Sequence, residues 1–291
     1  WFYPVQAGVG IHNVTYTYTD VYGCSNSCVT RITVLDIPTV TCPANMEACV
    51  SDPAFVLAGG LPLGGTYSGP GVNLGQFNPA TAGVGTHAVV YTYTASNGCT
   101  SACSFTITVH ALPVMTCPAS QVVCSNDAAF ALTGGLPAGG TYSGTGVSAG
   151  MFNPAAANIG ANTITYGYTD ANNCYNECTF TITVNAAPVV NCPANMSKCI
   201  NDTDIILLGG SPVGGTYSGT GVTGGIFSPA GAGLGTHTIT YSYTDGNNCT
   251  ASCTFTITIN DIPAVTCPAD MTLCLRDYDY PLSGGLPAGG T

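Results

Sequence analysis

The sequence predicts an all-β chain: tandem Ig-like β-sandwich domains of 75 residues, stapled by disulfides and arranged as beads in a linear fibre. Three observations carry this expectation. A long motif recurs every 75 residues, sixteen cysteines recur with it, and apolar residues alternate with period two rather than 3.6.

The repeat sets the organisation. Cys-Pro pairs begin at Cys42, Cys117, Cys192 and Cys267, and a second cysteine series runs through Cys24, Cys99, Cys174 and Cys249. Gly-Gly-Thr-Tyr-Ser-Gly begins at Gly64, Gly139 and Gly214, and Gly-Gly-Thr returns at Gly289. Pro38, Pro113, Pro188 and Pro263 mark the junctions. Proline fixes its own φ and biases its predecessor to extended geometry, which stiffens a joint. The expected domains are therefore 38–112, 113–187 and 188–262 as complete repeats. Residues 1–37 read as the C-terminal part of one repeat and 263–291 as the N-terminal part of another. The chain reads as a stretch of a longer polymer. A filament subunit whose tail joins the next head is the alternative, although 29 plus 37 residues fall short of one repeat.

Within 38–112, His87 to Thr94 places Val89, Tyr91 and Tyr93 on one face, the mark of a half-buried strand. Phe105, Ile107 and Val109 alternate in the same way. Ala95-Ser96-Asn97-Gly98 between them has hairpin-turn chemistry. Shorter strands are expected near Phe55–Leu57, Thr66–Ser68 and Gln76–Phe77, punctuated by glycines. A unit this small is marginal on core burial alone, so cross-links are expected.

Composition excludes several function classes. The chain carries 14 acidic and 3 basic residues, Arg31, Lys198 and Arg276. Nucleic-acid binding and a basic membrane patch both need clustered Lys and Arg. No apolar run reaches the ~20 residues that span a bilayer, so no membrane insertion is expected in this segment. Sixteen cysteines with only four histidines point to disulfides in an oxidising, extracellular setting rather than to metal.

Their pairing is open on residue reasoning. Four strand residues separate Cys99 and Cys103 by ~13 Å, beyond the ~7 Å Cα limit of a bridge. Long-range pairs are favoured: Cys49 with Cys99 and Cys42 with Cys103, then Cys124 with Cys174, Cys117 with Cys178, Cys199 with Cys249 and Cys192 with Cys253. Cys24, Cys28, Cys267 and Cys274 have their partners outside the segment. The alternative is local: Cys42 with Cys49 and Cys99 with Cys103.

Other candidate sites each carry a plainer reading. Asp52, Asp127, Asp202 and Asp277 share one repeat position, and Asp204 and Asp279 add Asp-x-Asp pairs. Calcium at a domain junction is the functional reading and an Asx-type cap the structural one, which is favoured. His12, His87 and His237 share a position that Asn162 fills elsewhere, which argues for a strand-start polar role over metal. Asp20, Asp170 and Asp245 read as turn residues, with Ala95 replacing them once. Gly-Gly-Thr-Tyr-Ser-Gly lacks the Gly-Lys-Ser/Thr of a phosphate loop, no Ser-His-Asp set recurs, and one lysine cannot supply general isopeptide cross-links. No enzyme activity and no cofactor are expected. Tyr67, Tyr91, Tyr93 and Phe77 form either a core or a sugar-stacking platform, with the core favoured. The sequons at Asn13, Asn195, Asn201 and Asn248 are explained by chance.

The run GGLPxGGTYSGxGVxxGxFxPAxAGxGTHxxTYxYTDxNxC…FTITV resembles tandem repeats of large secreted surface proteins of Bacteroidota, including gliding-motility adhesins of the SprB-repeat type and type IX secreted proteins. The resemblance covers the three complete repeats and both partial ones. It implies a cell-surface filament or adhesin, and it implies Cys49 with Cys99 as a pair. The partners expected are neighbouring repeats of the same chain, other copies in a filament, and surface glycans. A repetitive stalk or polysaccharide-binding module carrying a distal enzyme or lectin is the alternative.

Overall fold

A computed structural model describes every residue except Arg276, Asp277, Tyr280, Leu282 and Thr291. The chain divides into two compact units, one of Trp1–Pro118, Thr133–Ser143 and Thr165–Phe180, the other of Ala119–Leu132, Gly144–Ile164 and Thr181–Thr291. In the first, repeat 38–112 builds two sheets. The larger is ordered Met46–Cys49, Thr100–His110, Gly85–Thr94, Thr66–Ser68. The smaller is ordered Phe55–Val56, Gln76–Phe77, Val72–Asn73. All pairs are antiparallel except one: Met46–Cys49 lies parallel to the end of the last strand, with Cys49 opposite His110. In the second unit, repeat 188–262 has the same elements, and Cys199 lies opposite Asn260. Repeat 113–187, through which the division runs, has the same strand order. The tandem all-β sandwich holds. Residues 10–34 form one further hairpin, Gly10–Thr19 with Ser25–Val34, and Thr266 bridges Leu286 near the other end.

The alternation expected from the sequence is the burial pattern observed. Val89, Phe105, Ile107 and Val109 from the large sheet meet Phe77 from the small one and Leu57, one residue past its strand Phe55–Val56. Leu207, Phe227, Ile239, Phe255, Ile257 and Ile259 repeat the arrangement in the second unit. Six buried apolar side chains at about 1.5–3 kcal/mol each are a thin core for 75 residues, which is why the sulfur bridges matter. The strand Met46–Cys49 and the four-residue helical turn Pro79–Ala82 were not legible in the sequence. Both are too short to display a period. The turn starts at proline, whose missing N–H costs nothing there, and Asn78 caps it through Thr81 N at 3.2 Å.

Paired glycines surround one tyrosine. Tyr91 is 1% exposed. Gly59 and Gly64 adopt φ of 94° and 96°, which turns the chain sharply on either side. Gly60 and Gly65 then lie flat on the ring: a Cβ would fall 2.6 Å and 2.4 Å from its atoms. The phenol hydroxyl donates to Pro62 O and accepts from Gly65 N at 3.0 Å. Tyr67 packs beside it at 4.9 Å between centroids and accepts from Gly60 N. Tyr166 and Tyr241 are held in the same way. The Gly-Gly-Leu-Pro-x-Gly-Gly-Thr-Tyr motif is thus a tyrosine socket.

The histidine position also resolves. His87 Nε2 bonds Gly83 O at 2.7 Å and His237 Nε2 bonds Gly233 O at 2.8 Å, closing the loop before the long strand. Asn162 does the same work, donating to Asn158 O and accepting from Asn158 N. Histidine and asparagine are interchangeable there because both offer one ring- or amide-borne group to the same loop.

Two substitutions test the socket by urea unfolding. Gly65→Ala is expected to destabilise repeat 38–112 by about 3 kcal/mol or more through overpacking on Tyr91. Tyr91→Phe is expected to cost about 1–3 kcal/mol by leaving a buried amide and carbonyl without their shared partner.

Candidate functional site

The cysteines fall into two classes by where the strands place them. Cys42 bonds Cys103, Cys117 bonds Cys178 and Cys192 bonds Cys253, each with Cα atoms 5.8 Å apart and 61 residues between partners. These bridges lie within a repeat and tie the chain just before the first strand to the last strand.

The second class corrects the expectation. Cys49 is bonded to Cys174, not Cys99, and Cys124 to Cys249, not Cys174, each across 125 residues with Cα atoms 5.5 Å apart. Cys199 is not bonded to Cys249, and neither local pair, Cys42 with Cys49 or Cys99 with Cys103, forms. The reason is strand length. Cys49 sits level with His110, at the far end of the last strand, whereas Cys99 precedes Thr100 at its start. Eleven residues of strand separate those two levels, about 36 Å at ~3.3 Å each. A bridge inside one repeat cannot cross that distance. The hairpin-turn cysteine of the following repeat can reach, so the bond joins repeats.

Local structure prepares both partners. On the turn, Asp170 Oδ1 accepts from Asn172 N at 2.8 Å and Cys174 N at 2.9 Å. Asp245 holds Asn247 N and Cys249 N in the same way. Where Ala95 replaces the aspartate, Asn97 Oδ1 accepts from Cys99 N instead at 3.0 Å. On the strand side, Asp52, Asp127 and Asp202 each accept from the amide of Cys49, Cys124 and Cys199, at 2.7, 2.7 and 3.0 Å. Polar contacts accompany the bridges. Asn126 Nδ2 donates to Thr250 O at 2.8 Å, beside the Cys124–Cys249 bond. Asn176 Nδ2 donates to Pro113 O at 2.9 Å, beside the Cys49–Cys174 bond. Cys174 and Cys249 are fully buried.

Three of the calcium candidates, Asp52, Asp127 and Asp202, are therefore occupied with capping. Asp204 and Asp279 are exposed, and Asp277 lies outside the described residues. Among the described residues no three His, Cys, Asp or Glu side chains gather. Cys99 and Cys199 are half-buried thiols, and Cys24, Cys28 and Cys267 are exposed ones. Cys274 is exposed. His110 Nε2 lies 3.4 Å from Glu47 Oε2 beside the Cys49 strand end. In repeat 113–187 the Tyr175 phenol donates to Glu177, and that hydrogen bond raises its pKa above the ordinary tyrosine range. The Tyr175 ring lies over Gly167, where a Cβ would fall 2.5 Å from its hydroxyl. Threonine or serine occupies that position in the repeats that lack the tyrosine.

No family model matches the chain. Hyalin of Strongylocentrotus purpuratus is 30% identical over 302 residues, covering 91% of this chain, and the chain spans 25% of its length. Solved structures with similar chains include a Ca2+-stabilized adhesin that helps an Antarctic bacterium reach out and bind ice, at TM-score 0.32 and 15% identity, covering 86% of this chain and 82% of that one. They also include the human desmocollin-1 ectodomain, at TM-score 0.24 and 12% identity, covering 91% and 71%. Sidekick-1 immunoglobulin domains 1–5 match at TM-score 0.25 and 11% identity, covering 84% and 66%.

Peptide mapping without reduction is expected to recover Cys49 linked to Cys174 and Cys124 linked to Cys249. Recovery of Cys49 with Cys99 would refute the connectivity. Asp127→Ala is expected to lower stability by about 1 kcal/mol through loss of the cap, read by thermal unfolding.

Proposed function

We propose that the chain is a non-catalytic, load-bearing segment of an extracellular adhesion-type protein. The observation that carries this reading is the second class of disulfides, which makes successive repeats covalently continuous through Cys49–Cys174 and Cys124–Cys249 bonds. The five disulfides among the described residues are stable in an oxidising compartment and would not persist in a reducing cytosol. No helix among the described residues is long and apolar enough to cross a membrane.

Pulling on such a chain follows the sulfur. From Cys42 the force crosses to Cys103, runs along the last strand and the junction to Cys117, crosses to Cys178, and so on to Cys253. The covalent path through three 75-residue repeats shortens to about 40 residues, or ~140 Å when taut. The Cys49–Cys174 and Cys124–Cys249 bonds provide a second route. Parallel pairing of the first and last strands adds a second form of resistance. Opposed pulls on the entering and leaving chain shear that ladder lengthwise, loading its hydrogen bonds together.

Burial of the tyrosines favours this reading over a sugar-stacking module. Tyr91, Tyr166 and Tyr241 are inside, with both hydroxyl bonds committed to backbone. A surface filament or adhesin serving attachment, gliding or matrix, secreted by a Bacteroidota-type system, is the finer form of the proposal and rests on the resemblance of the repeat motif.

Single-molecule extension of the oxidised chain is expected to lack the ~250 Å steps that full release of a 75-residue repeat would give. Complete reduction is expected to bring those steps out. Oxidised molecules that already unravel repeat by repeat would overturn the load-bearing reading.

A further inference from the structure

The half-buried thiols Cys199 and Cys99 stand at the two positions that are bonded elsewhere in the three complete repeats, whereas Cys24, at the turn position of residues 1–37, is an exposed thiol. Cys199 closes the strand Met196–Cys199, opposite Asn260, and its amide is held by Asp202. Cys49 and Cys124 have the same place and the same aspartate cap, and both are bonded to a turn cysteine 125 residues ahead. Cys99 occupies the turn position of Cys174 and Cys249, with its amide held by Asn97. The polar contact beside the bond is prepared as well. Asn126 donates to Thr250 O across the Cys124–Cys249 bridge. Asn201 follows Cys199 at the same offset, and Thr100 follows Cys99 as Thr250 follows Cys249.

We propose that Cys199 and Cys99 are complementary half-sites of the same type of inter-repeat bridge. Cys199 takes the turn cysteine of a further repeat of this kind, and Cys99 takes a strand-end cysteine of the Cys49 type. The occupant is recognised by a Cys-Thr or Cys-Tyr turn that offers its sulfur to Cys199 and its next backbone carbonyl to Asn201. The chemistry is thiol–disulfide exchange with a small-molecule disulfide such as oxidised glutathione. The Cys199 thiolate attacks glutathione disulfide and expels one glutathione thiolate. The turn thiolate then attacks the Cys199 sulfur of the mixed disulfide and expels the second. Two cysteine thiols become one disulfide, two glutathiones are reduced, and the two thiol protons pass to them. The inference concerns bond register and stands whether or not the chain bears load.

The test uses two chains oxidised in a glutathione couple: the 291-residue chain, and one in which residues 188–262 are repeated once more directly after residue 262. Maleimide labelling and non-reducing peptide maps are read at Cys199, with the Cys124–Cys249 linkage as the control for correct folding. In the extended chain Cys199 is expected to lose maleimide labelling and to map to the turn cysteine of the added repeat, which assigns an adjacent repeat as the source. Covalent dimers of the 291-residue chain linking Cys199 to Cys99 would support the bridge and assign a second copy. If Cys199 stays fully reactive in both chains, or bonds any cysteine other than a turn cysteine, the proposal is overturned.

Discussion

Parallel pairing of the strand Met46–Cys49 with the end of Thr100–His110 is the constraint on which the covalent architecture depends. It carries Cys49 to the end of the repeat remote from its own hairpin turn. Once there, the cysteine is out of reach of Cys99 and beside the junction to the next repeat. The same register places Cys199 opposite Asn260, so the choice is built into each repeat and not imposed by its neighbour. A strand of four residues thereby decides whether sulfur staples a bead to itself or to the next.

The tyrosine socket keeps such a small bead well defined. Tyr91 fills the space that two Gly-Gly turns leave open, and its hydroxyl satisfies one amide and one carbonyl in those turns. Burying a phenol without partners would cost several kcal/mol. With both bonds made, the ring locks turns that have few apolar side chains of their own. Glycine content and tyrosine content are therefore one feature, since the glycines are the walls of the cavity that the ring occupies.

Much of this was legible in the sequence, and the misses have identifiable causes. Period-two alternation marked Val89, Tyr91, Phe105, Ile107 and Val109 as inward, because strand side chains alternate regardless of context. The Asn162 replacement was enough to read the histidines as strand-start polar residues, since a metal ligand would not tolerate it, and the loop that they close is seen only in the structure. The aspartates before the second strand read as caps, and Asp52 is one. Cys42–Cys103, Cys117–Cys178 and Cys192–Cys253 form as expected, and the partners of Cys49, Cys124 and Cys199 were the failure. Pairing depends on which end of a bead a residue occupies, and Met46–Cys49 is too short to announce either its presence or its direction. The usable signal was length: the eleven residues of Thr100–His110 already separate the turn cysteine from anything packed at the strand's other end.

The bridges also overlap along the chain. Their spans run 42–103, 49–174, 117–178, 124–249 and 192–253, and together they cover every peptide bond between Cys42 and Cys253. A single proteolytic nick anywhere in that stretch severs the backbone but frees neither half. A protein exposed to hydrolases outside a cell is thereby spared the loss of its distal end at the first cleavage.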